Sequence, residues 1–337
     1  MAEIKPFGGV DDRVRLVDVV PLDTPFTLNV FPSNLCNFKC VYCAQSLGKE
    51  ELLKRYHFPM EMMRMETLAL AVEQARQFDK KLKLVSFMGH GEPLCNRELP
   101  EMIRLVKEAG IAQRIDVITN GSLLNEEFSE RLIDAGLDVL RVSLQGMSSD
   151  SYQKLCGVHL DFERFVKQIA WFYEHKRQCK IYLKTVDMSL EPGEEEKFYE
   201  LFSPISDRVY IDRIKPVYQG VDYLESERDL SVDRYGNYHE KRYVCPQPFY
   251  MMSLWANGDV TPCDALYKAC PLGNVADVTL KEMWNSSKKR EFCALQLKKS
   301  RMQVEACAAC CAPDDVAAKE DVLDDNAEQL LEKFQKR

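Results

Sequence analysis

Thirteen cysteines are the first chemistry this sequence offers, and nine of them fall into two groups. Cys36, Cys40 and Cys43 stand at C-x-x-x-C-x-x-C spacing just after Phe26–Phe31 (FTLNVF), an apolar run that reads as a strand. A loop carrying three thiolates can wrap one metal centre and leave one coordination position without a nearby protein ligand. A structural zinc site wants a fourth cysteine or histidine close by, and a fully ligated iron–sulfur cube wants four cysteines. An open iron is what a chemically active cluster needs, because a ligand can bind there.

The second group is Cys245, Cys263, Cys270, Cys307, Cys310 and Cys311. Cys245 and Cys263 flank a hairpin-like segment, and Cys307 and Cys310 are spaced C-x-x-C. Two pairs distant in sequence can close one tetrahedral or cuboidal site, so both zinc and an iron–sulfur cluster satisfy the spacing. Cys95, Cys156, Cys179 and Cys293 are scattered and read as buried thiols acting as small hydrophobes.

Other polar groups sit where apolar runs end. Gly89-His90-Gly91-Glu92 follows Leu82–Met88. Its glycines let backbone approach a ligand closely, and Glu92 can accept hydrogen bonds from an ammonium group. Asn120 ends a third run and Ser143 a fourth; Lys184 and Asp187 lie near the end of a fifth, and Asp212, Arg213 and Lys215 at a sixth. Polar residues at the C-terminal ends of strands face the mouth of a β–α barrel, while alternation sends about half of them outward.

The elements that must hold these groups are six strands, five of them followed by helices. The expected strands are Phe26–Phe31, Leu82–Met88, Arg114–Thr119, Leu137–Leu144, Lys180–Val186 and Arg208–Ile214. The expected helices cover Phe58 to Phe78, Glu98 to Ala109, Asn125 to Ala135, Phe162 to His175 and Glu194 to Phe202. Such alternation argues for parallel strands with covering helices. Six units are too few for a closed eight-fold barrel, so the expectation is an α/β fold with an open, partial (β/α)6 barrel. Asn257-Gly258 signals a hairpin turn, and Thr279 to Leu297 looks helical. The expected divisions are an N-terminal extension (1–24), the barrel (25–216), a linker (217–243), a hairpin-plus-helix domain (244–313) and an acidic, helical tail (314–337). That tail reads as a solvated, partly mobile extension.

Composition narrows the class. Hydrophobic residues make up 46% of 337, enough for a sizeable core, and the formal net charge is -8. That balance disfavours a nucleic-acid partner. No apolar run is long enough to span a membrane, and no apolar signal core stands near the N-terminus. The expected location is cytoplasmic, where disulfides are rare.

The three-cysteine loop resembles that of the radical S-adenosylmethionine (SAM) superfamily, with the aromatic Tyr42 just before the last cysteine. The resemblance extends over the whole β–α region. It implies that Cys36, Cys40 and Cys43 hold a 4Fe–4S cluster whose fourth iron is chelated by SAM. An electron from the cluster then cleaves SAM to a 5′-deoxyadenosyl radical that abstracts a substrate hydrogen. It further implies SAM contacts from Tyr42, Gly89, Gly91, Glu92, Asn120 and Ser143, although Gly-His-Gly-Glu departs from the Gly-Gly-Glu-like pattern. Lys184, Asp187, Asp212 and Arg213 are the candidates for catalysis or substrate contact. A reducing partner such as flavodoxin or ferredoxin is expected.

The C-terminal region is similar to the appended SPASM and twitch domains, in its C-x(12)-G-x(4)-C opening, in Leu272-Gly273-Asn274-Val275 and in the helix around Trp284. With no cysteine after Cys311 it looks like the shorter twitch form. That resemblance implies one auxiliary 4Fe–4S cluster on Cys245, Cys263, Cys307 and Cys310, with Cys311 or Cys270 as alternatives. Twitch relatives include an aminocyclitol dehydrogenase and a cyclase of molybdopterin synthesis. The favoured expectation is dehydrogenation of a small polyhydroxylated substrate (sugar, nucleotide sugar or aminocyclitol). The alternative is peptide modification, crosslinking or epimerisation, although the short stretch before Phe26 holds no leader-binding domain.

Overall fold

The computed structural model describes residues 2–7, 13–218, 220–221, 231–315 and 318–336. Among them the apolar runs form one sheet of ten strands: β1 (Glu3–Ile4), β2 (Thr27–Val30), β3 (Leu82–Phe87), β4 (Ala112–Thr119), β5 (Val139–Ser143), β6 (Lys180–Val186), β7 (Arg208–Asp212), β8 (Met251–Leu254), β9 (Asp259–Thr261) and β10 (Gly273–Asn274). The order is β1-β7-β6-β5-β4-β3-β2-β8-β9-β10. Strands β2 to β7 are the six expected ones, each parallel to its neighbour. The sheet runs from one edge to the other without closing, which makes the barrel partial.

The expected hairpin does not stand apart from the barrel. β8 pairs with β2 in parallel, from Thr27↔Met251 to Val30↔Leu254, and β9 and β10 extend the sheet antiparallel. Otherwise β2 would be an edge strand with its backbone groups on one side unpaired.

Strand alternation divides the sheet's two faces. Val85, Phe87, Ile115, Val117, Leu140, Val142, Ile181, Leu183 and Val209 belong to one core cluster with helix residues such as Ile103, Ile169 and Phe172. Asn29, Ser86, Asp116, Arg141, Ser143, Lys184 and Asp212 alternate with them and point to the concave side. Helices Phe162–His175 and Glu194–Phe202 have the bounds expected of them. Asn125 caps Glu126–Asp134 as expected, its side chain accepting from Phe128 N–H at 2.8 Å.

Three expectations need correcting. The helix expected from Phe58 covers only Met65–Ala75, because Met62 is drawn into a bridge with Ser33. Thr279 to Leu297 breaks into Leu280–Trp284 and Ser287–Leu297, since Ser286 is extended and caps the second helix. The tail is packed: in helix Ala327–Gln335, Leu330 is fully buried with Leu16, Val17, Phe249 and Leu297. Its apolar residues recur at helical spacing and form one buried stripe. Helices Gly48–Tyr56 and Ser149–Cys156 add to the expected set. Part of the expected linker, 219 and 222–230, lies outside the described residues. Among the described residues no helix is long and apolar enough to cross a membrane.

Candidate cluster and cofactor site

Cys36, Cys40 and Cys43 lie on the loop leaving the C-terminal end of β2, with Cys40 buried and the others partly exposed. The loop is pinned from two sides. Lys39 N–H donates to Cys156 O and Val41 N–H to Leu155 O, both at 2.9 Å, on the last turn of helix Ser149–Cys156. Opposite, the Gln45 amide donates to Asn34 O (3.1 Å) and His90 O (2.6 Å). The Cys40 and Cys156 sulfurs are 3.6 Å apart. Burial pushes the Cys43 thiol up to about 12. A cation or cluster bound by this loop would displace the proton from each ligating thiol.

Gly89 to Glu92 packs directly on this loop. A Cβ at Gly91 would stand 2.3 Å from Ser33 O and 2.7 Å from Leu35 O, so only glycine allows the approach. Glu92 N–H donates to Leu35 O at 2.7 Å, adjoining Cys36. The Glu92 carboxylate is 2% exposed. It accepts from Leu94 N–H (2.8 Å), Thr119 Oγ1–H (2.5 Å) and Asn120 N–H (2.7 Å). Burial nevertheless raises it to about 7, and a cation placed beside it would favour the ionised form. Asn120 reaches back to the cysteine loop, its amide donating to Asn37 Oδ1 at 3.0 Å. Strands β2, β3 and β4 thus hold one polar cradle at their C-terminal ends.

His90 has a different job from its neighbours. Its Nε2 lies 2.7 Å from Asp264 O and its Nδ1 2.9 Å from Tyr218 OH. The ring stacks on Trp255 at 5.8 Å and 14°. Nε2–H donates to the carbonyl, Nδ1 accepts from the phenol, and burial keeps the ring neutral. His90 therefore ties the cradle to the residue after Cys263.

Cys245, Cys263, Cys307 and Cys310 line a single cavity, together with Gln296 and Arg301. Cys311 and Cys270 do not line it. The Cys311 sulfur lies against Pro216 O at 3.6 Å, and Cys270 packs behind Cys307 and Phe292. Burial pushes the Cys310 thiol up to about 11, with Arg301 acting against it. Among the described residues no three His, Cys, Asp or Glu groups converge tightly enough to hold one metal ion. The four cysteines share one cavity as lining residues, the donor set that a 4Fe–4S cube takes.

The pattern described for the radical SAM superfamily matches residues 30–201. The chain belongs to the radical SAM superfamily. The SPASM iron–sulfur cluster-binding domain matches residues 245–311. Radical SAM proteins with such a domain use SAM and 4Fe–4S clusters, and this chain has the corresponding α/β partial barrel. A probable GTP 3′,8-cyclase of Methanococcus maripaludis is 34% identical over 131 residues, 39% of each chain. The corresponding cyclase of Methanocaldococcus jannaschii is 30% identical over 167 residues, 49% of this chain and 47% of that one. The chain thus spans less than half the length of these curated relatives. Among solved structures, BtrN in complex with AdoMet and 2-DOIA is 19% identical, with a TM-score of 0.53 over 85% of this chain and 92% of BtrN. SuiB of Streptococcus suis bound to precursor peptide SuiA is 20% identical, with a TM-score of 0.59 over 81% of this chain and 67% of SuiB. AdoMet-bound anSMEcpe is 19% identical, with a TM-score of 0.58 over 93% of both chains. At these identities the likeness is one of fold.

Within this radical SAM barrel the remaining candidates separate. Lys184 and Asp212 form an ion pair at 2.6 Å on the concave face, with Asp212 2% exposed. Among the described residues Asp212 Oδ1 has no hydrogen-bond partner. Ser143 is the register neighbour of Lys184. Asp187 is exposed, its Oδ1 accepting from Met188 N–H and Ile214 N–H at 2.8 and 2.9 Å. Arg213 is exposed beside Gly236. Lys215 is buried and donates to Val232 O. The structure therefore brings Lys184 and Asp212 together and sends Asp187 and Arg213 elsewhere. Tyr42 packs against the core, where burial holds its hydroxyl well up. Thr119, Asn37, Cys156, Gln296 and Arg301 were missed by sequence reasoning. Asn37 lies inside the cysteine spacing and Thr119 beside Asn120, so position was a signal for those two. Nothing local marks the other three.

Proposed function

We propose that this radical SAM enzyme is an oxidoreductase that dehydrogenates a small polyhydroxylated substrate such as a sugar, nucleotide sugar or aminocyclitol. In this reading Cys36, Cys40 and Cys43 hold the SAM-binding 4Fe–4S cluster. Cys245, Cys263, Cys307 and Cys310 hold an auxiliary one. The observation that carries it is the second cavity, which four cysteines line together, the number a fully ligated cube needs. When bound, SAM and the clusters supply hydrogen-atom abstraction and a destination for one electron.

The chain's own residues do the rest. Glu92, held in place by Thr119 and Asn120, would accept from the ammonium group of bound SAM. Asn120, Ser143, Tyr42, Gly89 and Gly91 shape the remainder of that cradle. Lys184 and Asp212 face the concave side, where Lys184 holds a substrate oxygen and the Asp212 carboxylate paired with it takes the hydroxyl proton. The balance is complete: the carbinol carbon loses a hydrogen atom, its oxygen loses a proton, one electron leaves, and the C–O bond becomes double. A reducing partner such as flavodoxin or ferredoxin supplies the electron that starts each turnover.

Peptide epimerisation is the second reading, favoured by Cys311. Its thiol is outside the four-cysteine cavity and is left to donate a hydrogen atom. Anaerobic reconstitution separates the readings. About eight irons per chain are expected, and SAM with reductant should yield 5′-deoxyadenosine. Ketone formed one-to-one with deoxyadenosine supports dehydrogenation, whereas solvent deuterium in a peptide product supports epimerisation. About four irons per chain would sink the auxiliary assignment.

A further inference from the structure

Arg301 is buried, 6% exposed. Its guanidinium donates to Cys307 O at 2.9 Å and to Cys310 O at 2.8 Å, so it clasps both ends of the C-x-x-C turn. Among the described residues no carboxylate forms an ion pair with it. Carbonyl dipoles accept from both of its terminal nitrogens, and a dipole does not neutralise a full charge. A buried cation without an anion is costly, and this one lines the four-cysteine cavity. Gln296, fully buried, is its companion. Gln296 Oε1 accepts from Cys245 N–H at 3.3 Å, and its Nε2 lies 3.9 Å from the Cys307 sulfur. One side chain thus joins Cys245 to Cys307 and places an N–H near sulfur.

We infer that Arg301 and Gln296 are positioning residues that hold the auxiliary cluster's cysteines and raise its reduction potential, so that it accepts an electron. The inference rests on the reading that these four cysteines bind a cluster. A cube on four thiolates is net negative and gains further negative charge when reduced. Cluster potentials follow net charge, hydrogen bonds to sulfur and solvent exposure, and outer contacts of this kind tune metal sites. A fixed cation and an N–H···S contact both favour the reduced form. The electron balance is that of the proposed reaction: the substrate radical loses one electron and the cluster gains it.

The test is a redox titration followed by electron paramagnetic resonance on the full chain, reconstituted anaerobically, as wild type, R301Q, R301K and Q296L. At the potential where the wild-type auxiliary cluster is half reduced, R301Q should show a reduced-to-oxidised ratio about tenfold lower, which is about 59 mV for one electron. R301K, which keeps the charge, should stay within about threefold of wild type, and Q296L should fall by about threefold. The SAM-binding cluster should titrate unchanged in all four. Two clusters in wild type and R301Q with equal auxiliary midpoints would overturn the inference while leaving the cluster assignment intact. A wild type with about four irons would instead remove the reading beneath it. If R301Q fails to take up its second cluster, Q296L decides: a lowered midpoint upholds the inference and an unchanged one overturns it.

Discussion

The sulfurs of Cys40 and Cys156 lie 3.6 Å apart, although 116 residues separate them. Cys156 is fully buried at the end of helix Ser149–Cys156, and its carbonyl, which any residue there would keep, anchors the cysteine loop through Lys39 N–H. Cys156→Ala should therefore keep the loop and its iron while emptying a small buried volume, at a cost of about 1–2 kcal/mol. Cys40→Ala should lose the SAM-binding cluster. Iron analysis together with thermal unfolding of the apoprotein distinguishes the two.

Gly91→Ala should disturb the site more than any neighbouring substitution of equal size. The added Cβ would meet the backbone at Ser33, Asn34 and Leu35, all under 3 Å, and backbone cannot swing aside as a side chain can. Overpacking of this kind costs about 1–3 kcal/mol and would displace the loop next to Cys36. The expected result is loss of the SAM-binding cluster with the auxiliary cluster retained. Full iron loading with normal deoxyadenosine formation would show that the contact does not position the loop.

Glu92 gives a pH dependence of unusual sign. Burial lifts its carboxyl from 4.5 to about 7 in the folded chain, so between those values the native state holds a proton that the unfolded chain has released. Stability should fall as pH rises through that window, by about 1.4 kcal/mol per unit and about 3 kcal/mol in total. Comparing apo wild type with Glu92→Gln cancels the other titrating groups. Their stability difference should move in the variant's favour from pH 4.5 to 7 and stay level above. A flat difference in urea unfolding across the window would refute the shift.

Periodicity and cysteine spacing carried much of this architecture, and the failures have physical causes. Helix Phe162–His175 is a long amphipathic segment and strands β2 to β7 are short apolar runs between helical stretches, patterns that decide their conformation. The parallel docking of β8 on β2 was not legible, because pairing partners far apart in sequence leave no local trace. Lys184, Asp187, Asp212 and Arg213 looked alike in the sequence. Only register shows that Lys184 and Asp212 share a face while Asp187 is spent on the backbone of Met188 and Ile214. Arg301 resembled any surface cation until its burial and its two carbonyl acceptors were seen.

Cys310 and Cys311 are neighbours that should behave differently. Cys310 lines the four-sulfur cavity, whereas the Cys311 sulfur faces Pro216 O. Cys310→Ser should lower the iron content toward that of one cluster, and Cys311→Ser or Cys270→Ser should leave about eight irons per chain. Loss of iron in Cys311→Ser with retention in Cys310→Ser would reverse the ligand assignment.

Lys184 and Asp212 should be separable into a structural and a chemical contribution. Lys184→Met leaves the Asp212 carboxylate buried without its cation. That should cost about 3–5 kcal/mol, much of it recovered in Lys184→Met/Asp212→Leu, where no charge remains. Asp212→Asn keeps shape and a hydrogen-bonding group for Lys184 but removes the proton acceptor. Its expected effect is on product: ketone formation should fall at least about tenfold, within the usual range for a lost general base. Deoxyadenosine formation, which does not need the substrate hydroxyl to lose its proton, should persist. Chromatography of both products from one reaction reads the ratio directly. An unchanged ratio in Asp212→Asn would remove Asp212 from the proton's path and leave the ion pair a purely structural feature of the barrel's concave face.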